Sequence, residues 1–111
     1  MEITTTPHKR CTVVKMDGRI DSNSSPDLKK TLGKLMDNGT YKIVFDMSGI
    51  DFISSSGVWV LMETQKNCKR WNRGQLVIAT PNERIARSLD LAGVQHFFSI
   101  YDDLTNAVGS F

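Results

Sequence analysis

The chain has 111 residues, a formal net charge of +2 and 23% charged side chains. That length fits a single domain over residues 1–111, burying roughly 65% of its unfolded surface, and no linker, repeat or low-complexity tract divides it. Acids and bases are too evenly mixed for a dedicated nucleic-acid binder, and no apolar run approaches the ~20 residues that cross a bilayer, so neither direct nucleic-acid binding nor membrane insertion is expected.

Residues 2–6 and 10–17 are dominated by β-branched side chains and predict two strands joined by a turn at Pro7–Lys9, an antiparallel hairpin at one side of a sheet. The opening stretch from Met1 to Thr6 has neither the basic nor the apolar region of a secretion signal. Cys11 and Cys68, one in a predicted strand and one in a predicted helix, fit reduced thiols rather than a disulfide framework. The expected location is the cytoplasm.

Ser25-Pro26 predicts a helix start, with Ser25 as N-cap and Pro26 in the first helical position. Leu28, Leu32, Leu35 and Met36 then make one apolar stripe, and Asn38-Gly39 supplies the stop. Tyr41–Met47 is an apolar run suited to a buried strand. A helix from about Ser55 to Asn72 is expected to bury Val58, Leu61, Met62 and Cys68, with Lys66, Lys69, Arg70 and Arg73 as a solvated basic face near its C-terminus. Gln75–Thr80 predicts another buried strand, and Pro81-Asn82 a helix start with Ile85, Ala86, Leu89 and Ala92 on one side. Gly93 breaks that helix. His96–Ile100 predicts a short strand, and Leu104, Ala107, Val108 and Phe111 mark a last helix. The order β-β-α-β-α-β-α-β-α defines an α/β fold of about five strands and about four helices, mostly parallel apart from the opening hairpin.

Most enzymatic constellations are missing from this pattern. His8, His96, Cys11 and Cys68 show no zinc-ligand spacing, no stretch matches a P-loop, and Ser54-Ser55-Ser56-Gly57 lacks the first glycine of a serine elbow. No metal, no cofactor and no catalytic residue is expected, and the protein is not expected to be an enzyme.

Two features remain. Ser56 falls at or just inside a helix N-terminus, where free N–H groups and the helix dipole favour negative charge, so it can carry a phosphate at little cost to the fold. Asp46 ends a buried strand, where doubly wound folds place functional groups. A receiver-like phosphoacceptor would use such an aspartate, together with an acidic pair and a late lysine. Asp17-Gly18-Arg19 and Ile78-Ala79-Thr80-Pro81 supply neither, so Asp46 is expected to order the following loop by accepting its N–H groups.

The run Asp46-Met47-Ser48-Gly49-Ile50-Asp51-Phe52-Ile53-Ser54-Ser55-Ser56-Gly57-Val58 resembles the signature of STAS domains, in particular of bacterial anti-sigma-factor antagonists. Asp17-Gly18-Arg19-Ile20-Asp21 is similar to the family's Gly-x-Leu-Asp element, and the order of elements matches from about residue 2 to residue 110. The resemblance implies a STAS-type mixed sheet and a serine phospho-switch. An unphosphorylated antagonist binds an anti-sigma factor with serine kinase activity, phosphorylation releases it, and a serine phosphatase resets it.

By position, Ser56 matches the phosphate acceptor and Ser55 the serine before it. Asp21, Ser22, Asn23 and Ser24 match the loop beside the partner-facing site, which Ser54 and Gly57 complete. Ser54 stands where the family usually has aspartate. Trp59, where a smaller residue is commoner, is a candidate partner anchor. A STAS scaffold or accessory subunit of a sensory or transporter complex, without phosphorylation, is the alternative within the family.

Overall fold

In the computed structural model, which describes residues 2–111, the expected hairpin forms from β1 (Ile3–Pro7) and β2 (Thr12–Met16), paired antiparallel from Ile3 opposite Met16 to Pro7 opposite Thr12. A three-residue strand, β3 (Gly18–Ile20), then turns off the main sheet, and α1 (Ser25–Asp37) follows. Next come β4 (Lys42–Asp46), β5 (Ile50–Ile53) and α2 (Ser55–Lys69). The chain closes with β6 (Gln75–Ala79), α3 (Glu83–Leu91), β7 (Ile100–Tyr101) and α4 (Leu104–Gly109). The main sheet runs β1-β2-β4-β6-β7, antiparallel only between β1 and β2. It is the mixed, mostly parallel five-stranded sheet with four helices that the element order predicted.

Strand alternation divides the core into two layers. Val14, Met16, Ile43, Phe45, Leu76 and Ile78 face one side and pack with Leu28, Leu32, Leu61, Ile85 and Leu89 from α1, α2 and α3. Val13, Val44, Val77 and Ala79 face the other side, where α4 contributes Ala107 and the half-buried Leu104 and Val108. Three helices therefore cover one face and a short fourth covers the other.

The structure corrects the sequence reading at five places. First, Gly18–Ile20 and Ile50–Ile53, which have no place in the expected order of elements, form a second, two-stranded parallel sheet, registered Gly18 to Ile50 and Ile20 to Ile53. Strands of three and four residues flanked by glycine carry no readable periodicity, and their pairing is long-range. Second, Ser25 is not the N-cap of α1. Ser24 holds that position without a side-chain cap bond, and Ser25 is the first helical residue, its hydroxyl turned back to the Asp21 carbonyl at 2.6 Å.

Third, α2 ends at Lys69 and a 3-10 turn covers Arg70–Asn72, in which Trp71 and Asn72 adopt left-handed backbone with φ of 57°. Arg73 is not simply solvated: its guanidinium lies 3.8 Å over the Tyr41 ring and donates to the Asn67 carbonyl at 2.6 Å. Fourth, Val58 and Met62 are only half-buried, whereas Val60, Thr64 and Gln65 join Leu61 and Cys68 inside. Gln65 is held there by two 2.7 Å bonds, accepting from the Leu76 N–H and donating to the Phe97 carbonyl. Fifth, the His96–Ile100 strand is a 3-10 turn at Gln95–Phe97 followed by the two-residue β7, because Phe98 turns into the core beside Val94 and interrupts any ladder.

Candidate functional site

The site is assembled by three chain reversals at the C-terminal ends of the parallel strands. One follows β3, one follows β5 and one follows β4. The small sheet joins the first two: the Ser54 N–H donates to the Ile20 carbonyl at 2.8 Å, and the Arg19 guanidinium lies 4.2 Å over the Phe52 ring.

Asp21 organises the loop after β3. Its Oδ1 accepts the N–H groups of Asn23 at 3.0 Å and Ser24 at 3.1 Å, an Asx-type turn that leads straight into α1. The Ser24 N–H above all, with the Asn23 N–H, the Ser24 hydroxyl and the Arg19 charge, outweighs desolvation and holds the Asp21 carboxyl below the usual aspartate range. Ser22 and Asn23 are exposed on the turn. Ser24 is buried, its hydroxyl donating to the Arg19 carbonyl at 2.7 Å, so it shapes the loop from within.

The serine triplet divides its labour. Ser54, in extended backbone, is the N-cap of α2, and its oxygen accepts the Gly57 N–H at 3.3 Å. Ser55 opens the helix and is exposed. Ser56 is the second helical residue and half-buried, its hydroxyl lying 2.7 Å from that of Ser54 and 3.0 Å from that of Ser25. No acidic side chain occupies the first turn of α2, so the helix supplies no carboxylate of its own to its free N–H groups. Gly57 is buried, and a Cβ there would stand 2.5 Å from Ile20 Cγ2 and 2.9 Å from Ile53 Cγ1. Its contribution is thus close approach of α2 to the small sheet, not a surface contact.

Asp46, buried at the end of β4, lies behind this rim. It accepts the Ser48 N–H at 2.9 Å and the Thr80 hydroxyl at 2.7 Å. Burial opposes its ionisation, but the Ser48 N–H, the Thr80 hydroxyl and the Lys15 charge prevail and hold its carboxyl below the ordinary value of 3.8. Asn82, the N-cap of α3, donates to the Ile50 carbonyl at 3.1 Å and so ties α3 to β5.

Trp59 is 61% exposed on α2, one turn beyond Ser55. Together with Val58, Met62, Ala92 and Val94 it lines a shallow groove of about 290 Å³ between α2 and the end of α3, with Ser54 and Ser55 at its head. The structure thus brings Asp21, Ser22, Asn23, Ser54, Ser55, Ser56 and Trp59 to one end of the molecule. Ser25, Thr80 and Asn82 complete the site through long-range bonds; the sequence marked Ser25 and Asn82 at helix starts but showed none of these contacts. Their partners lie 31, 34 and 32 residues away, and no local pattern encodes such pairs.

Neither cysteine belongs to this site. Cys11 and Cys68 are buried and free, and burial, only partly countered by the Arg73 charge, pushes the Cys68 thiol up to about 11. Among the described residues no three His, Cys, Asp or Glu side chains converge as a metal site requires.

A family model described as "STAS domain" matches residues 2–107. Among curated proteins, an "Anti-sigma-B factor antagonist" of Staphylococcus epidermidis is 25% identical over 100 residues, which span 90% of this chain and 92% of that protein. An anti-sigma factor antagonist from Mycobacterium paratuberculosis superposes with a TM-score of 0.88 at 23% identity, covering 98% of this chain and 92% of that one. The phosphorylated form of the Bacillus cell fate determinant SpoIIAA gives a TM-score of 0.75 at 12% identity, covering 98% of each chain. At these identities the solved structures share the fold.

Proposed function

The chain belongs to the STAS-domain family, and from that premise we propose that it is an anti-sigma-factor antagonist switched by phosphorylation of Ser56. In this reading the unphosphorylated protein binds an anti-sigma factor that is also a serine kinase. Phosphate on Ser56 ends that binding, and a serine phosphatase restores it. The protein is then a cytoplasmic regulator of transcription, works without cofactor and catalyses nothing itself. Support comes from the relative named as an anti-sigma-B factor antagonist and from the likeness to SpoIIAA in its phosphorylated form.

The observation that carries the reading is the place of the Ser56 hydroxyl, in the first turn of α2 between two other hydroxyls and next to the exposed Ser55. A phosphoryl group there adds about −1.5 to −2 charges where the helix dipole and free N–H groups stabilise them. Ser54, whose hydroxyl faces that of Ser56 at 2.7 Å, can turn its proton to a phosphate oxygen. The fold is therefore retained, and the change is felt by the partner, which meets a doubly charged group on a surface formed by Asp21–Asn23, Ser54–Ser55 and Trp59. A loss of ~3–4 kcal/mol in docking weakens binding by roughly 10²- to 10³-fold. Asp46 serves this reading as a support of the rim, since its carboxylate is committed to Ser48 and Thr80.

The test is phosphate transfer from an anti-sigma kinase, mapped by mass spectrometry, with affinities of Ser56→Ala and Ser56→Asp measured against the same kinase. Phosphate on Ser56 alone, tight binding by the alanine variant and weak binding by the aspartate variant are expected. Equal affinities, or phosphate confined to Ser55, would overturn the assignment.

A further inference from the structure

The end of the molecule opposite Ser56 carries an organised surface that the phospho-switch does not use. α2 spans the two ends, and the 14 positions from Ser56 to Arg70 cover about 21 Å at 1.5 Å per residue. At the N-terminal ends of the parallel strands, His8, Arg10, Lys42 and Arg73 line a shallow depression of about 330 Å³ that no carboxylate lines among the described residues. Lys9, Lys69 and Arg70 extend the same basic end and are exposed. The sole ion pair among the described residues is Lys66 with Glu63, so these cations are not neutralised within the chain. Asp17, Asp46 and Asp103 follow β2, β4 and β7 at the other end of the sheet, while Asp37, the last residue of α1, is an exposed carboxylate at the basic end.

Trp71 projects from the middle of the basic end and is 77% exposed. Its left-handed backbone, a conformation that costs a non-glycine residue energy, turns the ring outward instead of into the core. The guanidinium groups of Arg70 and Arg73 lie 5.4 and 5.1 Å from its centroid. An outward tryptophan set among unpaired lysine and arginine is the combination that anchors proteins at the headgroup level of anionic bilayers.

We propose that this basic, Trp71-bearing end docks reversibly on an anionic bilayer surface, leaving the Ser56 end in solution. A bilayer fits better than nucleic acid for two reasons. α1 and α2 meet this end with their C-termini, so neither offers a helix side to a groove, and the Trp71 ring already shares its faces with two guanidinium groups. The negative dipole ends of the two helices also disfavour a tight single-anion pocket, whereas a diffuse charged plane needs only the outer cations.

The test uses the full chain and vesicles of phosphatidylcholine, with or without about one third phosphatidylglycerol. Sedimentation with the anionic vesicles only is expected, reversed at about 0.5 M salt, where the screening length is a few Å. Because the chain has two tryptophans, Trp59→Phe leaves Trp71 as the reporter, and its emission should shift to the blue on binding. Replacing the exposed Arg10, Lys42 and Arg70 together by glutamine should lower the partition coefficient by on the order of 100-fold. Three results overturn the proposal: no sedimentation of the unaltered chain at low salt, equal binding to neutral vesicles, or salt-sensitive self-association or oligonucleotide binding without vesicle binding. The first two readings use unaltered protein and so do not depend on how the triple variant folds.

Discussion

The hydroxyl of Ser56 donates its proton to Ser25, and the direction follows from the surrounding bonds. Ser25 has one hydroxyl proton and commits it to the Asp21 carbonyl at 2.6 Å, so the 3.0 Å contact between Ser25 and Ser56 takes the proton of Ser56. The 2.7 Å contact between Ser54 and Ser56 then takes the proton of Ser54, whose oxygen still accepts the Gly57 N–H. A single directed chain, Ser54 to Ser56 to Ser25 to the Asp21 carbonyl, thus pins the N-terminus of α2 to that of α1.

Removing the middle acceptor tests this chain. Ser25→Ala leaves the Asp21 carbonyl with only the residue-25 N–H, which donates to it at 2.8 Å, and takes away the acceptor of the Ser56 proton beside a buried position. The expected loss is about 1–2 kcal/mol, read as a lower urea midpoint with unchanged slope. An unchanged midpoint would show that solvent replaces both bonds without cost.

Ser54→Asp reverses the first link. A carboxylate has no proton to give, so it accepts from both Ser56 and the Gly57 N–H, and Ser56 must choose between the carboxylate and Ser25. The added charge sits at the positive end of α2, where such charges contribute about 0.3–1 kcal/mol. Stability at neutral pH should rise by that amount, and the gain should vanish as the carboxylate protonates in acid. Ser54→Ala should instead cost about 1 kcal/mol, the ordinary loss of an N-cap. Thermal unfolding at pH 7 and pH 3 checks both.

These relationships divide cleanly by how local they are. The apolar stripe of Leu28 and Leu32, the buried runs at 43–45 and 76–79 and the cap at Asn82 were legible because each is set within one turn or one strand. So was the position of Ser56 just inside a helix, since the triplet precedes the apolar pattern of α2. The pairing of Gly18–Ile20 with Ile50–Ile53 was not legible, for it joins short segments some thirty residues apart. The same holds for Ser25 beside Ser56. The inward turn of Gly57 carries no signal either, since a glycine after serines reads equally as a loop residue and only the neighbouring Ile20 and Ile53 show why a side chain does not fit.

Asp46 gives the fold a specific acid sensitivity. Its carboxyl is lowered in the folded chain, so the folded state binds its proton less readily than the unfolded state does. The stabilisation is therefore complete above the ordinary value of 3.8 and is lost as pH falls below it, through the folded value. Asp46→Asn keeps one acceptor but loses the charge, and should cost about 1–2 kcal/mol at pH 7 while flattening the fall in stability as the pH drops below the ordinary carboxylate value of 3.8. Some slope should persist, because the Asp21 carboxyl is lowered too. Urea midpoints across that fall in pH decide the matter; a slope identical to that of the unaltered chain would place the acid sensitivity elsewhere.

Trp59 separates folding from docking. Its ring is 61% exposed and lies along the rim of the groove between α2 and α3, so truncation uncovers little of the core. Trp59→Ala should shift stability by no more than about 0.5 kcal/mol, the usual range for surface substitutions. As an exposed tryptophan beside the serine triplet, however, it has the character of a binding hot spot, and its removal should weaken partner binding by about 2 kcal/mol, roughly 30-fold. Affinity of the variant for the anti-sigma kinase, measured beside its unfolding midpoint, distinguishes the roles. A large stability loss would mean that the ring closes the groove for the protein's own sake, and unaltered affinity would move the partner's footprint back toward Asp21, Ser22 and Asn23.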